Sequence, residues 1–262
     1  MDIEAIGREL ADARRSARLT EAPSRRYQGF SLEDGYAVGQ LLQQWQVASG
    51  AAPIGVKLGF TNQAVWQDLG LDRPFWAPIY DTTVTDSHDV SLLGLVAPRI
   101  EPEVVLGFRD PVRAGASPDE IRRAIGWAAP GFEIVQCHYP GWEMAPPDAV
   151  ADAGLHGVLV VGEHRELGNA ELGALDEVDV ELRREETVFA RGRSANALGG
   201  PIQAVSWLQR LPGSDELRAG AIVTTGTLTA AFPIAAGERW QLRTAGPVTL
   251  GELAVSLSDT AE

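Results

Sequence analysis

At Pro53 the hydrophobic pattern of this chain changes, and that change limits the folds open to it. Before it, residues 2–49 read as helical, with Leu32, Tyr36, Leu41, Leu42 and Trp45 forming an apolar stripe near the helical period. Ser31 is placed to cap this stretch, with Asp34 in the capping-box position; Ser49-Gly50 and then Pro53 end it. From Ile54 onward short β-like runs take over, at 54–60, 98–108, 131–137, 157–162, 178–184, 187–191, 221–225, 238–243 and 247–257. Helical stretches interrupt them at about 62–69, 118–128 and 201–211. The second has a full start signal in Ser117, Pro118 and Glu120. The segment 178–191 alternates apolar and polar residues as a hairpin does. The expectation is an α+β chain: an N-terminal helical region at 1–52, then one β-rich unit at 53–262. That core is closed or folded over itself, unlike a doubly wound parallel sheet.

The run Pro98-Arg99-Ile100-Glu101-Pro102-Glu103-Val104-Val105-Leu106-Gly107 carries the most chemistry. In a strand, Glu101 and Glu103 share one face, because side chains repeat every two residues. Two carboxylates side by side among apolar neighbours repel each other and lose hydration. A divalent cation resolves that conflict, and oxygen ligands point to Mg²⁺, Mn²⁺ or Ca²⁺. Spacing alone leaves a second reading open, a solvent-facing side with two exposed acids. Glu133, in Gly131-Phe132-Glu133-Ile134-Val135-Gln136-Cys137, is a third acid in an apolar run. It is either a buried ligand or an edge residue facing water.

The chain has 22 basic residues, of which Lys57 is the only lysine. It lies in the apolar segment Ile54–Phe60, where surface charge has no need of it. An amine can change its protonation state and a guanidinium effectively cannot. Lys57 therefore reads as a proton shuttle or a carboxylate-orienting cation, or else as an edge-strand charge. His156, in Gly154-Leu155-His156-Gly157, reads as a general acid/base or as a structural histidine. His138 is a possible neighbour of the same site. The proline- and tryptophan-containing segment 138–153 suits a lid or a surface excursion. Thr224-Thr225-Gly226-Thr227 follows a strand and can hold a small anion.

A net charge of −14 argues against nucleic-acid binding. No apolar run reaches the length of a membrane span, and the N-terminus lacks a basic region before an apolar core, so the expectation is a cytoplasmic protein. One cysteine, Cys137, excludes an intramolecular disulfide and a cysteine-based zinc site. There is no G-x-S-x-G, Walker-A, H-E-x-x-H or dinucleotide fingerprint.

Several segments together resemble the 2-keto-4-pentenoate hydratase / 4-oxalocrotonate decarboxylase family of the fumarylacetoacetate hydrolase-like superfamily. They are Gly55–Thr61, Pro98–Glu103, Phe132–Val135, Val150–Asp152, Arg191–Pro201 and Gly220 through Thr227. The likeness covers nearly the whole chain. It implies a mixed β-roll or barrel-like core and Mg²⁺ or Mn²⁺ held by Glu101, Glu103 and Glu133. The family's lysine falls on Lys57; His156 is the second expected catalytic group, and Phe75, Trp76, Gln136, Leu155 and Thr225 are the expected substrate contacts. The implied activity is that of a metal-dependent lyase on a small 2-oxo acid. The foremost reaction is hydration of a 2-hydroxy-2,4-dienoate to a 4-hydroxy-2-oxo acid through an enolate. Oxalocrotonate- or oxaloacetate-type decarboxylation, acylpyruvate hydrolysis, and an inactive acid-binding partner subunit stand as alternatives. A homo-oligomer, dimer or higher, is implied, with a complex with a pathway decarboxylase or hydratase as a further option. The chain departs from the family twice. Phe75-Trp76 follow Pro74 where some hydratases carry an acid, and Leu155-His156-Gly157 replaces a Ser-Cys-Gly-type segment.

Overall fold

The computed structural model describes residues 1–214 and 216–260. Its N-terminus holds helices α1 (Ile3–Arg15), α2 (Pro23–Arg26) and α3 (Leu32–Ala48). The sequence pattern suggested continuous helix here, but the chain turns at Ala17 (φ 46°) and Gly29 (φ 81°). Helix α3 starts as its sequence predicts, with Ser31 and Asp34 accepting each other's backbone N–H. The remaining elements are β1 (Pro53–Gly59), α4 (Trp66–Leu69), β2 (Phe75–Tyr80), β3 (Val84–Thr85), β4 (Asp89–Ser91) and β5 (Arg99–Phe108). Then come α5 (Pro118–Ala124), β6 (Ile125–Val135), α6 (Pro146–Ala151), β7 (His156–Val161), α7 (Asn169–Gly173), β8 (Asp179–Arg184) and β9 (Thr187–Arg193). Helix α8 (Pro201–Leu208) precedes β10 (Ile222–Thr224), β11 (Phe232–Pro233), β12 (Arg239–Ala245) and β13 (Glu252–Ser258).

Two mixed sheets form the core, as the α+β, roll-like expectation required. The larger runs β2-β1-β10-β5-β6-β7-β3, with β11 also on β5, and the smaller runs β4-β13-β12-β8-β9. One face of the large sheet, through Ile100, Val104, Leu106, Phe132 and Ile134, packs on Val180, Leu182, Trp240, Leu242, Leu253 and Val255 of the small one. A second cluster joins Ile6, Leu10, Val38 and Leu42 of the N-terminal helices to Val135, Cys137, Tyr139 and Val150. Both clusters exclude water from apolar area, the main favourable term in folding. The other face of the large sheet is apolar at one end, through Ile79, Val105, Ala129, Leu159, Val161 and Ile222. That face also carries the candidate site.

Several local expectations change. Helix 118–128 stops at Ala124, where Ile125 turns extended, and β6 runs 125–135 in place of 131–137. Pairing along almost all of β5 overrides the weak local signal of Trp127-Ala128-Ala129-Pro130. Strand β2 escapes the sequence reading because it holds Pro78; it lies at the sheet edge, where proline is tolerated. Helix 62–69 is a 3-10 turn followed by one α turn, and 201–211 ends at Leu208. Segment 138–153 is neither lid nor surface excursion: Tyr139, Asp148, Ala149, Ala151 and Asp152 are fully buried, much of it under the N-terminal helices.

Candidate metal centre

Strand register builds the site. Glu101 and Glu103 lie two apart on β5, and Glu101 stands opposite Glu133 on β6. Directly opposed residues of an antiparallel pair share a sheet face. On the other side β10 links β5 to β1, with Thr224 aligned to both Val105 and Lys57. Lys57, Glu101, Glu103 and Glu133 therefore project from one face of four neighbouring strands. Ligand oxygens of the three glutamates lie within 4.8 Å of one another. Glu103 and Glu133 are buried, and Glu101 is half-buried.

His156 reaches the same face through a bulge. Ile134 pairs with Val158, but Val135 pairs with His156, leaving Gly157 as the extra residue. Regular alternation would aim His156 away from Glu133; one inserted residue reverses it. Glycine suits the insertion, since a Cβ at Gly157 would lie 2.6 Å from the Ile134 carbonyl oxygen. The His156 Nδ1 is 2.9 Å from Glu133 Oε1, and its Nε2 is 2.9 Å from Thr83 Oγ1. Lys57 Nζ sits 2.8 Å from Glu133 Oε2. That contact is a buried ion pair, with the ammonium and the carboxylate both shielded from water.

Glu103 accepts the Gly226 N–H at Oε2, 2.8 Å away, while its buried Oε1 has no partner. Gly226 has φ 102°, and a Cβ there would overlap the Thr61 side chain. The Thr-Thr-Gly-Thr segment thus orients a carboxylate. Thr225 itself is fully buried, its hydroxyl donating to the Val104 carbonyl. Gly226→Ala should cost about 1–3 kcal/mol of stability and weaken divalent-cation binding, as thermal melts with and without Mn²⁺ would record. Unchanged melts in both conditions would contradict this account of Gly226.

The charges are strained without a cation. Burial, together with Glu133 and Glu101, holds Glu103 well above the usual carboxylate range. Burial pushes Glu101 up to about 7, opposed by Lys57 and reinforced by Glu133. Burial also raises the Glu133 carboxyl, but Lys57 and His156 outweigh it and leave it lowered. For Lys57, burial opposes the ammonium, yet Glu133, Glu101 and Glu103 together raise its pKa. Fully ionised, three carboxylates against one ammonium would leave a negative excess, and the buried Glu103 Oε1 lacks a partner. An all-oxygen donor set of this kind fits a hard divalent cation such as Mg²⁺ or Mn²⁺.

A cavity of about 1060 Å³ lies beside the cluster, lined by Tyr36, Trp76, Tyr80, Thr83, Gln136 and His156 among others. Lys57 and the three glutamates are not in its wall; His156 connects the two. Of the expected substrate contacts, Trp76 and Gln136 face this cavity. Phe75 lies instead behind Lys57, its ring centroid 5.8 Å from Nζ, and Leu155 packs in the apolar cluster under the N-terminal helices. His138 pairs with Asp152, its Nδ1 2.9 Å from the carboxylate, and makes no hydrogen bond to the glutamates.

Two residues that contact His156, Thr83 and Arg14, carry no local sequence signal. Thr83 sits in a turn after β2. Arg14, on α1, donates to Asp152 Oδ1 at 2.8 Å and to the His156 carbonyl at 2.7 Å. Arg99, two residues before Glu101, lies 4.1 Å over the Trp142 ring.

Residues 56–256 match the family described as fumarylacetoacetate (FAA) hydrolase C-terminal. The chain is 29% identical over 247 residues, 92% of each sequence, to a 2-hydroxyhexa-2,4-dienoate hydratase of Comamonas testosteroni. It is 31% identical over 219 residues, 82% of each, to 2-keto-4-pentenoate hydratase 2 of Dechloromonas aromatica. Its fold overlays that of 4-oxalocrotonate decarboxylase from Pseudomonas putida G7, complexed with magnesium and adipate, with a TM-score of 0.90 over 97% of each chain at 23% identity. No helix among the described residues is long and apolar enough to cross a membrane. The family match spans most of the chain and includes the strands that carry all three glutamates, so this protein belongs to the fumarylacetoacetate hydrolase C-terminal family.

Proposed function

We propose that this chain is a divalent-metal-dependent lyase that hydrates a small 2-hydroxy-2,4-dienoate to a 4-hydroxy-2-oxo acid. The observation that carries the reading is the cluster of Glu101, Glu103 and Glu133 against a buried lysine, with the buried Glu103 Oε1 lacking any partner. The hydratases among its relatives supply the substrate class.

Glu101, Glu103 and Glu133 would hold Mg²⁺ or Mn²⁺, which when bound supplies a Lewis acid for the C1 carboxylate and the 2-oxygen of the substrate. Lys57, kept charged by its carboxylate neighbours, is the proton donor on the same face. In the net reaction the dienol loses its 2-hydroxyl proton and gains one at C5; water then adds its oxygen at C4 and a proton at C3. His156 orients Glu133 through Nδ1. Trp76 and Gln136, in the cavity wall, serve as substrate contacts. The working unit is a cytoplasmic homo-oligomer, a dimer or larger.

Decarboxylation of an oxalocrotonate-type acid is the second reading. The aromatic pair after Pro74 favours it: Phe75 crowds Lys57 with a ring and offers no carboxylate to activate water. An apolar neighbour that desolvates a leaving carboxylate suits loss of CO₂.

An NMR time course with Mg²⁺ separates the readings. The protein is incubated with 2-hydroxypenta-2,4-dienoate, 2-oxo-3-hexenedioate, oxaloacetate and an acylpyruvate, beside EDTA controls. A 4-hydroxy-2-oxo acid that forms only with metal is the expected product. CO₂ release favours the second reading, and turnover unaffected by EDTA removes both.

A further inference from the structure

Beyond the ligand cluster, we propose that Thr83 is a positioning residue, whose hydroxyl fixes the His156 imidazole so that its Nδ1–H holds Glu133. This rests on the metal-site reading for its consequence but on separate atoms for its geometry.

The His156 main chain is already clamped. Arg14 donates to its carbonyl at 2.7 Å, and Gln136 Nε2 lies 3.4 Å from the same oxygen. The Gly157 bulge sets the direction of the side chain. What stays adjustable is ring rotation and the placement of the ring proton. Glu133, as a carboxylate, can only accept, so the proton belongs on Nδ1. Nε2 is then an acceptor, and the group beside it at 2.9 Å is Thr83 Oγ1.

Thr83 also lies 3.0 Å from the Tyr80 carbonyl, and a hydroxyl has one proton to give. Directing that proton to Nε2 satisfies an atom on a histidine that is 3% exposed. Thr83 is well placed to do so. It immediately precedes β3, whose parallel pairing with β7 aligns Val84 with Leu159 and brings Thr83 alongside the bulge. Thr83 also lines the cavity, as His156 does. Removing it frees the ring to turn, and Glu133 then loses the partner that fixes Oε1. Groups that orient metal ligands in this way typically contribute 10–100-fold to metal affinity.

The test compares wild type, Thr83→Val and Thr83→Ser by two readouts. One is Mn²⁺ affinity from calorimetric titration. The other is the ¹⁵N spectrum of the His156 ring in metal-free protein, which reports where the proton sits. Wild type should show a protonated Nδ1 and a hydrogen-bonded, unprotonated Nε2. Thr83→Val should shift the Nε2 resonance and weaken Mn²⁺ binding by about tenfold, while Thr83→Ser restores both. A protonated Nε2 in wild type, or a Thr83→Val protein with unchanged Nε2 and unchanged Mn²⁺ affinity, overturns the proposal. Wild type that binds no Mn²⁺ overturns the metal reading instead, and the ring spectrum still decides the role of Thr83.

Discussion

Glu103→Gln is expected to abolish the response to divalent cations and, without metal, to leave the protein more stable than wild type. Glutamine has nearly the same shape and retains an oxygen to accept the Gly226 N–H. What it removes is one of three crowded carboxylates, the one that burial and its neighbours hold well above the usual range. A carboxyl whose pKa is raised on folding costs stability at neutral pH, and a neutral isostere removes that cost. The metal-free melting temperature should therefore stay level or rise by a few degrees. Mn²⁺ should raise the melting temperature of wild type, because a ligand bound only by the folded state stabilises it. That increase should vanish in Glu103→Gln, and turnover should fall by at least about a hundredfold, equivalent to roughly 3 kcal/mol. A variant that melts well below wild type without metal, yet responds fully to Mn²⁺, would show that Glu103 is structural.

Lys57→Met should do the opposite to stability. Methionine fills the stem volume but leaves Glu133 buried with no ammonium at 2.8 Å. Breaking a buried pair by removing one partner costs about 3–5 kcal/mol, which in a chain of this size lowers the melting temperature by roughly 10 °C. A divalent cation should recover much of that loss, since the cluster keeps all three carboxylates and loses a competing positive charge. Affinity for Mn²⁺ should hold or increase while turnover drops by about a hundredfold or more. A variant that is folded and active but binds metal poorly would remove the proton-donor role and leave Lys57 as a positioning charge only. The two variants thus move stability and metal affinity in different directions, which general unfolding cannot reproduce.

What could be read from the sequence was what is local. The two-residue spacing of Glu101 and Glu103 fixes their common face whatever the strand pairs with. The caps at Ser31 and Ser117 are set within four residues and formed as expected. Lys57 stood out through its isolation in a chain otherwise supplied with arginine. What was not legible depends on pairing between distant segments. Glu133 meets Glu101 only because of the β5–β6 register. His156 meets Glu133 only because the Gly157 insertion reverses the alternation of β7. Thr83 and Arg14 reach His156 from 73 and 142 residues away. The start of β6 is not legible locally, because its first residues carry no strand signal of their own and are held by β5. Phe75 could be singled out from the aromatic pair after Pro74, but its position behind Lys57 follows from the β1–β2 register, where Phe75 opposes Gly59.

The central proposal is that the three glutamates hold one divalent ion that receives a 2-oxo acid. The most direct measurement is anomalous diffraction from crystals soaked with Mn²⁺ and oxalate, an enolate mimic. The predicted result is a single strong anomalous peak coordinated by Glu101, Glu103 and Glu133, with oxalate completing its coordination. No peak at that cluster at millimolar Mn²⁺, or a peak held by other residues while the three carboxylates stay unliganded, would contradict it.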